Sequence, residues 1–256
     1  MPTTHLSSDS LMASVGFSYL DMIAILVFFA AWSLHLWIVN HSPFSDRTIS
    51  ARMSVFRQLW MKNMVYRNPK MSDTLIQNTL QYGVLFFAST SILVIGALVA
   101  GLGASEKAVE LLQHLPFSVG TTRTVWEIKV LLLIFIFTFA FFKFAWSYRL
   151  FNYVLILIGA APDTSTNAVR LHPDTIDAED FAERAGRLHT LGARHFTTGL
   201  NSYFFALAAS AWFLSPQAFI VATLWVSLVL YRRAFRSNFS QILGGMGGLD
   251  KHTGTD

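Results

Sequence analysis

Apolar residues in this chain fall into long, nearly uninterrupted runs separated by polar and basic stretches. The first run covers residues 19–39, about 31 Å of helix at ~1.5 Å per residue, which matches the ~30 Å hydrocarbon core of a bilayer. The second covers 79–102. The third is most apolar at 126–142, and neither Pro nor Gly interrupts it before Gly159. A helix continuing to 158 would be about 50 Å long, so one end must project or the helix must tilt strongly. Lys143 and Arg149 mark the projecting end. The last apolar region, 197–230, is interrupted by Ser215-Pro216. It reads as one kinked helix or as two short spans, 197–214 and 217–230.

The stretches between the runs have patterns of their own. Residues 40–78 carry Arg47, Arg52, Arg57, Lys62, Arg67 and Lys70 against only Asp46 and Asp73. Within them Ile49, Met53, Phe56, Trp60 and Met64 recur at helical spacing, with most basic residues off that stripe. This predicts an amphipathic helix over about 49–67, lying in the headgroup plane; the other reading is a soluble helix packed on the protein's own loops. Asp177, Glu179, Asp180 and Glu183 suit the first turn of a helix, which then carries Arg184, Arg187 and Arg194 toward the membrane. In the second run, Gly96 with Ala100 and Ala97 with Gly101 are spaced for close helix–helix approach.

Charge asymmetry sets the orientation. Placing the basic stretch after the first span in the cytoplasm puts the N-terminus and the neutral segment 103–124 outside. A single final span would leave Arg232, Arg233 and Arg236 outside as well, against the positive-inside rule. Two final spans return them to the cytoplasm. The expected fold class is therefore all-α: a polytopic integral membrane helix bundle of about five transmembrane helices plus the interfacial amphipathic helix. The expected layout is a polar tail at 1–18, one transmembrane domain at 19–239 and a flexible tail at 240–256. The expected location is the plasma membrane, with the N-terminus outside and the C-terminus cytoplasmic. No Lys or Arg precedes Arg47, so the start does not read as a secretory or transit peptide.

Composition narrows the function classes. Hydrophobic residues make up 53% of the chain and charged residues 13%, about half the charge of an average soluble domain; a soluble enzyme fits poorly. The absence of Cys removes disulfides, thiolate metal sites and a Cys nucleophile. The basic pI of about 9.5 comes from residues flanking apolar spans, where they set topology, so no nucleic-acid partner is expected.

Three groups of residues could carry chemistry. Asp21, Glu127 and Lys129 lie at the outer ends of spans. They read first as structural ion pairs, Asp21 with Lys129 and Glu127 with Arg123 one turn earlier, and otherwise as an ion or proton site. Lys143, Trp146, Arg149 and Tyr153 fall on one helical arc of about 120°. With Arg52, Arg57 and Lys62 they could hold an anionic lipid headgroup or a carboxylate ligand. His35, His189 and His195 are weak metal or haem candidates, because the six-residue gap from His189 to His195 turns the helix by about 240°. No phosphate-loop, dinucleotide, HExxH or GxSxG pattern occurs, so no catalytic residue is assigned.

Several blocks occur together in order: Ala51-Arg52-Met53, Trp60-Met61, Asp73, Phe86-Phe87-Ala88-Ser89-Thr90, Gly103-Ala104 and Glu127-Ile128-Lys129. Phe142-Lys143-Phe144 with Trp146, Gly159-Ala160-Ala161-Pro162 and Tyr231-Arg232-Arg233 follow. Over roughly residues 19–239 this order resembles the bacterial and plant membrane proteins grouped as the domain-of-unknown-function family 599. Ala234, where an acidic residue is usual, and Pro69, in a usually basic stretch, depart from its pattern. The resemblance implies an integral membrane protein and supplies no activity. The function expected is that of a non-catalytic accessory or scaffold subunit of a membrane assembly, either homo-oligomeric or part of a larger complex. It would bind phospholipid at its cytoplasmic face and need no other cofactor. The alternatives are a transporter of a small anionic solute and a haem- or metal-binding redox subunit.

Overall fold

The computed structural model describes residues 17–41, 49–106, 122–162 and 177–235. Most of the N-terminal tail, much of the 103–124 segment, the polar run after Pro162 and the 240–256 tail lie outside the described residues. The described chain is all helical: α1 Tyr19–His41, α2 Ile49–Val65, α3 Met71–Gly103, α4 Arg123–Ala160, α5 Ala178–Ser210 and α6 Pro216–Phe235, with a 3-10 turn at Ala211–Phe213. Among the described residues, four helices are long and apolar enough to cross a membrane: Tyr19–Ile38 within α1, then α3, α4 and α6. The fold class is an all-α helical membrane bundle. Helix α5 is not among the four, since its first half carries Glu179, Asp180, Glu183, Arg184, Arg187 and Arg194. Exposed pairs of Arg184 with Asp180 and Arg187 with Glu183, each one turn apart, run along that half; such pairs contribute little stability.

Two compact units divide the chain. The first contains residues up to Leu36, Ser89–Phe141 and Leu200–Val229; the second contains Trp37–Ala88, Phe142–Gly199 and the chain from Leu230 onward. In the first, Phe28 is fully buried. Its ring lies 5.8 Å from that of Phe205 and 5.2 Å from that of Phe219. Fourteen residues of straight helix would separate positions 205 and 219 by about 21 Å. Both rings reach Phe28 only because the chain reverses around Ser215-Pro216, so 197–230 is two helices and not one kinked helix. The Trp212 and Phe219 rings stack across that reversal at 5.3 Å and 18°.

In the second unit Met61, Met64 and Val65 of α2 pack with Val154 and Ile158 of α4 and Ala182 and Ala185 of α5. The stripe expected to lie on lipid therefore packs on the protein's own helices, because they offer it an apolar wall. Helix α3 begins at Met71, eight residues before the expected 79. Its first turns look like loop in sequence because they are polar, yet Asp73, Gln77 and Gln81, spaced by four, are buried. Leu75 and Ile76 on the same turns are 66% and 48% exposed. This inverted pattern suits a helix whose outer face meets an apolar solvent.

Glycine use also departs from expectation. A Cβ built at Gly96 or Gly101 meets nothing within 4 Å, so those small-residue pairs make no close helix contact among the described residues. Close approach occurs on α5 instead. A Cβ at Gly192 would stand 2.7 Å from Phe151 Cε1, and one at Gly199 would stand 2.6 Å from Phe144 Cε1.

Candidate functional site: a cavity around His189

A cavity of about 370 Å³ opens in the second unit, a size typical of small-molecule sites. Helix α2 lines it with Met53, Phe56, Arg57 and Trp60, and α3 with Leu80 and Val84. Phe151 comes from α4, and His189, Ala193, Phe196 and Thr197 come from α5. Most of these side chains are apolar. Arg57 and His189 are the exceptions that matter.

Two of the aromatic walls, Trp60 and Phe151, are fixed from behind. Trp60 Nε1 donates to Asp73 Oδ1 at 2.7 Å, and Asp73 also pairs with Arg67. The backbone carbonyl of Phe151 accepts from Gln77 Nε2 at 3.1 Å. The ring of Phe151 fits against α5 because residue 192 is Gly, whose own carbonyl accepts from Ser147 Oγ at 2.8 Å. Gly192 thus admits the ring where any larger residue would push it away.

His189 stands between these walls. Its ring lies 5.2 Å from that of Trp60, edge-on at 75°, and 5.0 Å from that of Phe151. It is 2% exposed. Neither ring nitrogen has a hydrogen-bond partner among the described residues, and neither does the buried Nη1 of Arg57. Burial, and then the nearby Arg57 guanidinium, push the His189 pKa down to about 3. The imidazole is therefore neutral at physiological pH, with one donor and one acceptor to offer. Burial also lowers the Arg57 pKa, though arginine remains protonated in proteins.

The other sequence candidates scatter. His35 Nε2 meets Asn201 Nδ2 at 3.1 Å beside Phe205. His195 lies 6.4 Å from the Trp146 ring; burial first, then the Lys143 charge, lower its pKa. The three histidines thus sit in separate places, and the described residues hold no group of three metal-ligating side chains. Arg149 Nε donates to Tyr153 Oη at 2.6 Å, and its guanidinium lies 5.9 Å from the Trp146 ring centre and 5.7 Å from that of Tyr153. Trp146, Arg149 and Tyr153 therefore meet on α4. Of the α2 candidates, Arg57 turns into the cavity and Lys62 is exposed, while Arg52 is half-buried.

At the start of α4, Arg123 Nε donates to Glu127 Oε1 at 2.8 Å. Arg123 Nη1 also reaches Glu106 at 2.9 Å. Asp21 and Lys129, expected to pair, both engage Trp212; their charges act on each other without a salt bridge within 4 Å. Trp212 Nε1 donates to Asp21 Oδ1 at 2.7 Å, the Ser18 amide donates to Oδ2 at 3.0 Å, and Lys129 Nζ lies 5.5 Å from the Trp212 ring centre. A buried indole satisfies a carboxylate with its N–H and a cation with its face. Sequence spacing carries no sign of that shared partner, nor of Gly192.

No curated protein and no solved structure matches this chain. Residues 23–239 match the family described as "Protein of unknown function, DUF599", and the chain belongs to that family.

Proposed function

We propose that the protein is a non-catalytic integral membrane protein, an accessory or scaffold subunit that holds anionic phospholipid at its cytoplasmic face. The reading is carried by Arg149, whose guanidinium is braced by Trp146 and Tyr153 on α4. All three side chains are exposed. A guanidinium oriented this way keeps its terminal N–H groups for a phosphate oxygen, and Trp and Tyr favour the bilayer interface. The reading includes a plasma-membrane location, five spans, an outside N-terminus and a cytoplasmic C-terminus, supported by the reversal after Ala211–Phe213 and by the basic residues flanking the spans.

The test is native mass spectrometry of the full chain released from nanodiscs containing phosphatidylglycerol and phosphatidylcholine. Wild type should retain phosphatidylglycerol preferentially, and Arg149→Gln should lose that preference. Equal retention of both lipids by wild type would reject the reading. Orientation is read by single cysteines, since the chain has none of its own. Leu214→Cys should label from outside and Lys62→Cys only after permeabilisation; the reverse would invert the topology.

A further inference from the structure

We propose that the cavity around His189 is a binding site for a compact apolar monoanion: a carboxylic acid with an aliphatic or small aromatic body, its carboxylate on Arg57. Three observations converge on this chemistry, none of which involves the Arg149 cluster.

First, buried polar atoms without partners are costly, so they are normally paired. Here Arg57 and His189 line one cavity, and Nη1 of Arg57 and both ring nitrogens of His189 are buried without a partner among the described residues. A carboxylate can accept from the guanidinium with one oxygen and from the imidazole N–H with the other. Arg suits this planar acceptor well.

Second, the charge balance selects a monoanion. Among the residues lining the cavity, Arg57 carries the one formal charge, because His189 is neutral at physiological pH. A carboxylate neutralises it. A phosphate monoester dianion would leave a negative charge in an otherwise apolar chamber, which is unfavourable.

Third, shape and lining select the body. Phe56, Trp60, Val84 and Phe151 present apolar surface to any ligand in the cavity. About 370 Å³ suits a small acid; a phospholipid with two acyl chains is far larger than such a site. Thr197, exposed on α5, marks an edge of the cavity that reaches the surface.

Octanoate is a suitable probe, with octanol as its uncharged analogue. Ligands that bind only the folded state raise Tm, and the rise grows with the logarithm of ligand concentration. Full-chain protein in phosphatidylcholine nanodiscs should show a rise of several degrees with octanoate and little with octanol. Arg57→Gln should abolish the octanoate response, and Arg57→Lys should retain part of it. If Arg57→Gln does not fold, Ala193→Leu supplies the second arm. Its three added carbons narrow the cavity, so its Tm rise with octanoate should be smaller than that of wild type. Arg149→Gln should respond as wild type does, so this site and the lipid seat can fail separately. Octanol acting as strongly as octanoate would overturn the proposal, as would an unchanged response in Arg57→Gln. A phospholipid retained by wild type and displaced one-for-one by octanoate would give the seat to a headgroup, and would overturn it too.

Discussion

Two tryptophans do similar work in the two units, with different basic partners. In the first unit, Trp212 donates its N–H to Asp21, the third residue of α1, and lays its face near the ammonium of Lys129. In the second unit, Trp60 donates its N–H to Asp73, the third residue of α3, and meets the ring of His189. Both aspartates occupy a helix's first turn, where exposed backbone N–H groups and the macrodipole favour a carboxylate. Both are buried, at 6% and 0% exposure. The difference lies in where the compensating charge stands. Asp73 has Arg67 on the carboxylate itself, with a side chain 42% exposed to solvent. The cation near Asp21, Lys129, is itself buried. In the first unit two buried opposite charges share one indole, whereas in the second Arg67 meets the charge of Asp73 and the Trp60 ring is left to face His189.

The largest effect should come from Asp21→Ala. It removes the carboxylate whose charge acts on the buried Lys129 and which accepts from Trp212 Nε1; removing one partner of a buried charge pair costs about 3–5 kcal/mol. Thermal unfolding in detergent should show a pronounced loss, partly recovered by adding Lys129→Met, because removing both charges is cheaper than removing one. Asp73→Ala should cost less, about 2 kcal/mol, because Arg67 can turn to solvent. If Asp73→Ala proved the more damaging, the contrast between the two units would be wrong.

His189 gives the second unit a pH dependence of its own. Its unfolded pKa is about 6.5, and its folded pKa is lowered to about 3. Between those values the unfolded chain binds more protons, so stability falls as pH falls through that window. At pH 5 the loss amounts to about 2 kcal/mol relative to pH above 7, using ~1.4 kcal/mol per pH unit. The difference in Tm between pH 7.5 and pH 5 should therefore be larger for wild type than for His189→Phe. Equal differences would mean that the imidazole titrates freely and is not held neutral.

How much of this was readable in advance differs between backbone and site. The apolar runs gave α1, α4 and α6 closely, because a helix facing lipid must be apolar over its full length. The start of α3 was hidden, because Asp73, Gln77 and Gln81 read as loop when their spacing of four is overlooked. That spacing was the available signal. For the site, Arg57 and His189 could each be picked out by type. Their meeting could not, since it depends on α2 packing against α5 and not on lipid. Gly192 stood in an unremarkable Leu-Gly-Ala stretch, and only the Phe151 ring against it gives it a role. Asp21 and Lys129 were singled out for their charge, but an indole nearly two hundred residues from Asp21 determines how they are satisfied.

The smallest effect isolates the indole N–H. Trp60→Phe keeps an aromatic ring beside His189 and removes only the donor to Asp73, which retains Arg67. A single hydrogen bond to a carboxylate that keeps another partner should be worth about 1–2 kcal/mol. Trp212→Phe removes the corresponding donor from Asp21, whose other partner is a backbone amide, and also weakens the ring face near Lys129, since Phe is a poorer cation acceptor than Trp. Its cost should exceed that of Trp60→Phe. Measured in the same detergent, the two substitutions compare one donor in two settings. Equal losses would show that Arg67 gives Asp73 no advantage over Asp21. A larger loss at Trp60 would make the cavity wall, and not the buried charge, the more demanding of the two structures.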